Sequence, residues 1–174
     1  PKWSGASFIR WATEGKPYPT SLDLHRSDGS LKGMVSADGL LWVATSNSLT
    51  GLIFNGTSLE AIVQERGIRM AHSRCMRVVG DALYFVTDIG FYRATREGVT
   101  ELSYLNRSMF THWVEAVGAE NITIGFNPKR HLVYINGEFD GTTYEPLFGW
   151  VYDEQFESLS VYAWWVGNNE VAGE

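Results

Sequence analysis

One cysteine in 174 residues, Cys75, excludes an intrachain disulfide and gives secretion no support from cysteine usage. No apolar run approaches 18 residues, so no bilayer-crossing helix, and no membrane insertion, is expected. Cations are scarce too. Lys and Arg number 14 against 20 Asp and Glu, a formal charge of −6, which argues against gripping nucleic acid through clustered basic side chains. A wall that DNA merely slides past needs no such cluster. A signal-peptide pattern is missing, and the opening Pro1-Lys2-Trp3 suggests a processed product or, the favoured reading, a segment of something longer.

The motifs that usually carry chemistry are missing as well. The sequence has no HExxH, GxSxG, P-loop or GxGxxG. His25, His72, His112 and His131 contain no i, i+4 pair and read as ordinary surface or half-buried imidazoles, so no metal site is expected. Cys75 lies between Arg74 and Met76. Neighbouring cations could lower its pKa, but a small buried thiol ahead of the Val78-Val79 strand is the better reading. A glycosidase needs only two well-placed carboxylates, for which Asp88, Asp140, Glu145 and Asp153 are candidates. Acidic residues also populate turns for local hydrogen bonding, and that reading is preferred. No catalytic or cofactor-binding residue, no cofactor and no enzymatic activity are therefore expected.

What the chain does have is bulk and turns. It is 44% hydrophobic and 14% aromatic, with 18 Gly and 7 Trp, as befits one folded domain over 1–174 built of strands and tight turns. Two stretches repeat. In "DGLLWVATSNSLTGLIFNGTSLEA" (38–61) and "GDALYFVTDIGFYRATREGVTELS" (80–103), Leu41 falls on Leu83, Thr45 on Thr87 and Gly56 on Gly98, each 42 residues apart. Four-stranded propeller blades have such a period, with units here near 38–79 and 80–120. Leu40–Ala44 and Leu83–Val86 are apolar without alternation, as expected of strands buried on both faces. Ser46-Asn47-Ser48 and Asp88-Ile89-Gly90 then read as hairpin turns into Leu52–Phe54 and Phe91–Arg93. Asn55-Gly56 and Glu97-Gly98 lead to a third strand each.

The flanks read as looser versions of this unit. Ser7–Trp11 forms a strand, and "HLVYING" (131–137) with "LFGWVYDEQFESLSVYAWW" (147–165) gives two or three more, so about four units fit. In "SMFTHWVEAVG" (108–118) a helix near 108–117 is expected, with Ser108 as cap, Met109, Trp113 and Val117 on one face, and Gly118 as terminator. Sequons begin at Asn55, Asn106 and Asn121, a number that chance explains. Trp150, Tyr152, Trp164 and Trp165 raise the possibility of a sugar-stacking platform, although aromatic runs in strands are mostly core.

The wording of the repeats resembles propeller-like proteins of tailed-phage virions, namely the tail tubular protein B (nozzle) family and the packaged-DNA stabilisation (head-completion hub) proteins. The resemblance rests on Leu83–Val86, then Asp88-Ile89-Gly90, Phe91-Tyr92 and Leu102-Ser103. "IRMAHSRCMRVVG" (68–80) precedes them, "RHLVYING" and "GWVYDEQFESLSVYAWW" follow, and "WATEGKPYPTSLDL" lies upstream. It spans about residues 7–165 as a pattern. The resemblance implies a structural virion protein of the tail or portal vertex. Its copies would form a ring, commonly of six, in contact with portal, adaptor and other tail proteins, with DNA as passing cargo during ejection. An acidic balance would suit a channel wall that repels the DNA backbone. Two alternatives stand beside it: a carbohydrate-binding or glycosidase-like propeller, and an interaction module of a cellular assembly.

Overall fold

The computed structural model describes residues 8–11, 20–23, 29–56, 59–70, 72–137 and 148–163. The fold is mainly β, with three four-stranded antiparallel sheets following one another along the chain, each a simple meander. The first contains β3 (Leu31–Ala37), β4 (Leu40–Thr45), β5 (Ser48–Phe54) and β6 (Leu59–Arg66). The second contains β7 (Met76–Val79), β8 (Ala82–Val86), β9 (Phe91–Thr95) and β10 (Gly98–Glu101). The third contains β11 (Ile122–Asn127), β12 (Leu132–Gly137), β13 (Phe148–Asp153) and β14 (Ser158–Ala163). A two-stranded sheet of β1 (Phe8–Trp11) and β2 (Thr20–Asp23) precedes them, with β2 against β6.

The first strands of the sheets meet: β3 touches β7, and β7 touches β11. Among the described residues the series of sheets is open and closes into no ring. Each sheet begins one strand ahead of the repeat read from the sequence, because β3 and β7 lie before residues 38 and 80. These first strands, LKGMVSA and MRVV, share little wording, so the repeat was visible only from the second strand onward.

Local chemistry explains the turns. Asp38 and Gly39 join β3 to β4 with φ of 53° and 68°, the left-handed pair that matches the twist of a two-residue hairpin. After β4, the Thr45 hydroxyl oxygen accepts from the backbone N–H of Ser48 (2.9 Å) and of Asn47 (3.3 Å). After β8, Thr87 accepts from Gly90 N–H (3.1 Å) and Ile89 N–H (3.2 Å). The same side chain thus closes the same turn 42 residues apart, although one turn reads Ser-Asn-Ser and the other Asp-Ile-Gly.

The two matched strands differ in how their faces are covered. In β4, Trp42 and Ala44 face the main core, and Leu41 and Val43 join Leu52 and Leu59 in a small separate cluster. In β8, Leu83, Tyr84, Phe85 and Val86 all belong to the one main core. β8 is therefore buried on both faces, as its unbroken apolar run requires.

Helix α1 (Arg107–Val117) crosses between the second and third sheets. It starts one residue earlier than expected, Asn106 occupies the cap position without a side-chain bond, and Ser108 is not the cap. The Asn106 amide instead donates to the Leu159 carbonyl (3.2 Å), tying the helix start to β14. Its buried face is Phe110, Trp113, Val114 and Val117, and Met109 is 51% exposed. Trp113 and Val117 lie on the buried face as expected, but Phe110 takes the place expected of Met109, because its ring packs on Trp150 (centroids 5.3 Å) and Phe91 (6.3 Å). Gly118, at φ 80°, ends the helix with its N–H on the Val114 carbonyl (3.0 Å). A helix this short is marginal alone, so this packing holds it.

Candidate functional site

The polar contacts that join neighbouring sheets follow one scheme. Asp38, in the β3–β4 turn, accepts from the backbone N–H of Arg96, in the β9–β10 turn (3.2 Å). One sheet further on, the Tyr84 hydroxyl of β8 donates to Glu154, in the β13–β14 turn (2.7 Å). In both cases the third-to-fourth-strand turn of a sheet reaches back to the sheet before it. Glu154 also lies 3.8 Å from His131 Nδ1, and its backbone N–H donates to the His131 carbonyl (3.1 Å).

Tyr84, Glu154 and His131 resemble an acid–base relay only in composition. Burial, and then the Glu154 carboxylate, push the Tyr84 phenol far above its ordinary value, so it stays protonated and acts as a donor. Nothing activates a nucleophile there. The three side chains form a clamp that orients the β13–β14 turn against the second sheet.

The sequence-derived candidates disperse. Asp88 lies 3.9 Å from exposed Arg69 in the β8–β9 turn. Asp153 closes the β13–β14 turn by accepting from Gln155 N–H (2.8 Å) and Phe156 N–H (3.2 Å). Asp140 and Glu145 lie outside the described residues, as do His25, Trp164 and Trp165. Asp88 and Asp153 thus serve separate turns, and the structure joins them in no carboxylate pair. Among the described residues no group of three His, Cys, Asp or Glu side chains could hold a metal ion. His72 caps a short 3-10 turn at Ser73–Cys75, and His112 pairs with Glu115 on the outside of α1.

Trp150 and Tyr152 are 0% and 2% exposed, so neither offers a sugar platform; they are core because β13 faces Phe110, Phe91 and Tyr84. The sequon amides are already engaged, Asn55 on Glu60, Asn106 on Leu159 and Asn121 on the Val117 carbonyl. No helix among the described residues is long and apolar enough to cross a membrane.

Cys75 is fully buried, its thiol donating to the Ala119 carbonyl (3.1 Å), and burial pushes its pKa up to about 11. The thiolate needed for reactivity is therefore scarce at neutral pH, despite Arg74 beside it in sequence. Burial likewise raises Tyr84, Tyr92, Tyr152 and Tyr162 above 10.0. Groups held protonated in the fold contribute in full below their unfolded pKa values, 9.0 for the thiol and 10.0 for the phenols. Above these values the unfolded chain ionises first and the contribution falls. We expect the urea midpoint to be flat near neutrality with respect to these groups and to drop from pH 9 upward. The tyrosinate absorbance of these four residues should appear only with unfolding. Native-like titration of every tyrosine near pH 10 would contradict this.

Two surface features lie apart from the core. The first is a groove of about 420 Å³ between β3 and β7, lined by Gly33, Met34, Ser73, Met76, Arg77 and Val78. It lies beside the only charged residues of the three first strands, Lys32 and Arg77, which carry no Asp or Glu. The second is the β13–β14 turn, where Phe156 stands 78% exposed among Asp153, Glu154 and Glu157. Sequence reasoning missed both. The cation-rich run Arg66–Arg77, with four arginines and no carboxylate, and the "DEQFE" tip were the available signals. No protein-family model matches the chain, and no curated protein matches it significantly.

Proposed function

We propose that the three meanders are blades of a propeller-like scaffold, and that the chain is a structural component of a tailed-phage tail or portal vertex. In this reading its copies form a ring that continues the DNA exit channel and binds the portal, adaptor or neighbouring tail proteins. It acts as a nozzle- or hub-like part of the virion and not as an enzyme. The observation that carries the reading is the same four-stranded meander three times in succession, with neighbouring first strands in contact. The threonine-closed turn repeated at Thr45 and Thr87 supports it, as does the wording that resembles nozzle and hub families.

Charge placement counts against an acidic wall along the contacting first strands. The first strands hold cations, whereas carboxylates lie on turns and outer strands, such as Glu60, Glu65, Glu97, Glu101 and Glu157. A DNA-repelling surface would be formed by those turns and edges. The test is to look for the chain in purified particles by mass spectrometry and to locate it by immunogold labelling and symmetric cryo-EM reconstruction. Density at the portal vertex is expected, and absence from the particles would end the virion reading.

A further inference from the structure

The geometry points to a head-to-tail contact between copies of this chain, in which the Phe156 tip of one copy enters the β3–β7 groove of the next. The tip is built to be presented. The Asp153 carboxylate holds the backbone of Gln155 and Phe156, Glu157 completes the turn at φ 47°, and Glu154 is clamped by Tyr84 and His131. A rigid tip loses little conformational entropy on docking. It exposes one large apolar ring beside the exposed Glu157 carboxylate, with the half-buried Asp153 and Glu154 next to it.

The groove offers the converse. Met34 and Met76 line it, and polarizable thioethers adapt to a phenyl ring and make favourable sulfur–aromatic contacts. At about 420 Å³ it exceeds the roughly 150 Å³ that suffices for benzene. The Met76 methyl packs against Gly33, where a Cβ would lie 2.3 Å from it. Arg77 and Arg74 are exposed at its side and form no ion pair with a carboxylate among the described residues. In a chain of net charge −6, a groove lined by Arg77 facing an aromatic tip that carries Glu157 is a complementary pair.

Groove and tip are different surfaces, so the contact is heterologous and propagates into a ring or an open filament. It supplies a contact for the self-association in the proposed function and rests on that reading only for ring closure. Duplex nucleic acid fits less well, since a Met-lined groove with two flanking arginines presents few phosphate contacts.

The test is sedimentation velocity on the full chain across a concentration series, at low and high salt, with circular dichroism to confirm folding. The wild type should self-associate, less so at high salt. Phe156→Ala and Arg77→Glu, both at exposed positions, should each weaken association at least about tenfold. Mixing them should produce one-to-one dimers and nothing larger, because one retains the groove and the other the tip. Arg77→Glu combined with Glu157→Arg in one chain should recover association. A wild type that stays monomeric, variants that associate undiminished, or a mixture without dimers would each overturn the contact. Undiminished variants would leave the ring reading standing on other surfaces. A chain absent from particles that still dimerises through Phe156 would remove the virion reading and leave this contact.

Discussion

Replacing Trp150 with alanine is expected to destabilise the fold by about 3–5 kcal/mol, the largest effect of any single change considered for this chain. Trp150 is 0% exposed and packs its ring at a tilt against Phe110, which in turn meets Phe91 and Trp113. The residue therefore joins helix α1 to both the second and third sheets. Removing the ring leaves a cavity that relaxed strands cannot fill, since the β12–β13 pairing fixes the backbone around Ile135. Gly149 next to it confirms how tight the layer is, because a Cβ there would lie 2.5 Å from the Ile135 carbonyl oxygen.

With total stability of about 5–15 kcal/mol for a domain of this kind, the alanine variant should lose a large share of it. At roughly 2–4 °C per kcal/mol, the melting temperature should fall by about 6–20 °C. Trp150→Phe should cost much less, for a specific reason. The indole N–H of Trp150 is buried without a hydrogen-bond partner, so phenylalanine removes an unsatisfied donor along with part of the ring. Thermal unfolding of the two variants tests the packing directly. A loss below about 1 kcal/mol for the alanine variant would mean that the helix does not bridge the sheets as described.

The second large effect concerns the repeated turn. Thr45→Val and Thr87→Val each keep the branched shape and remove one hydroxyl that accepts two backbone N–H groups. The Thr87 hydroxyl also donates to the Gly90 carbonyl, and the Thr45 hydroxyl bonds to that of Ser48 (2.9 Å). Both threonines are 0% exposed, and of the stranded donors those of Ser48 and Gly90 are buried and gain no water in exchange. Each substitution should cost about 1–3 kcal/mol by leaving buried groups unpaired. The two turns share no partner, so the double variant should lose close to the sum. Urea unfolding of both single variants and the double variant measures this. A neutral Thr87→Val beside a costly Thr45→Val would show that the shared wording does not reflect a shared role.

These predictions show which parts of the protein were legible in its residues. The 42-residue offset located two strand pairs, their hairpin turns and the threonine that closes each turn, because those features depend on short-range backbone geometry. The helix was placed to within one residue for the same reason, with Gly118 marking its end. Its buried face was legible at Trp113 and Val117 but not at Met109. Met109 and Phe110 are adjacent and both apolar, and only the positions of Phe91 and Trp150 select the second of them. The aromatic strand around Trp150 and Tyr152 could have served a sugar or a core, and burial against the helix and second sheet decided for core.

The sequence by itself determined strand-rich meanders, their turns, the helix near 108–117 and the lack of a recognisable catalytic motif, all set by local pattern and by residue type. Tertiary structure alone decided the start of each sheet one strand earlier, the contact of neighbouring first strands, the Tyr84–Glu154–His131 clamp and the pairing of a Met-lined groove that carries Arg77 with an aromatic tip that carries Glu157. The reason is distance along the chain. Contacts such as Tyr84 with Glu154, 70 residues apart, are set by how sheets stack, and no local pattern encodes the partner.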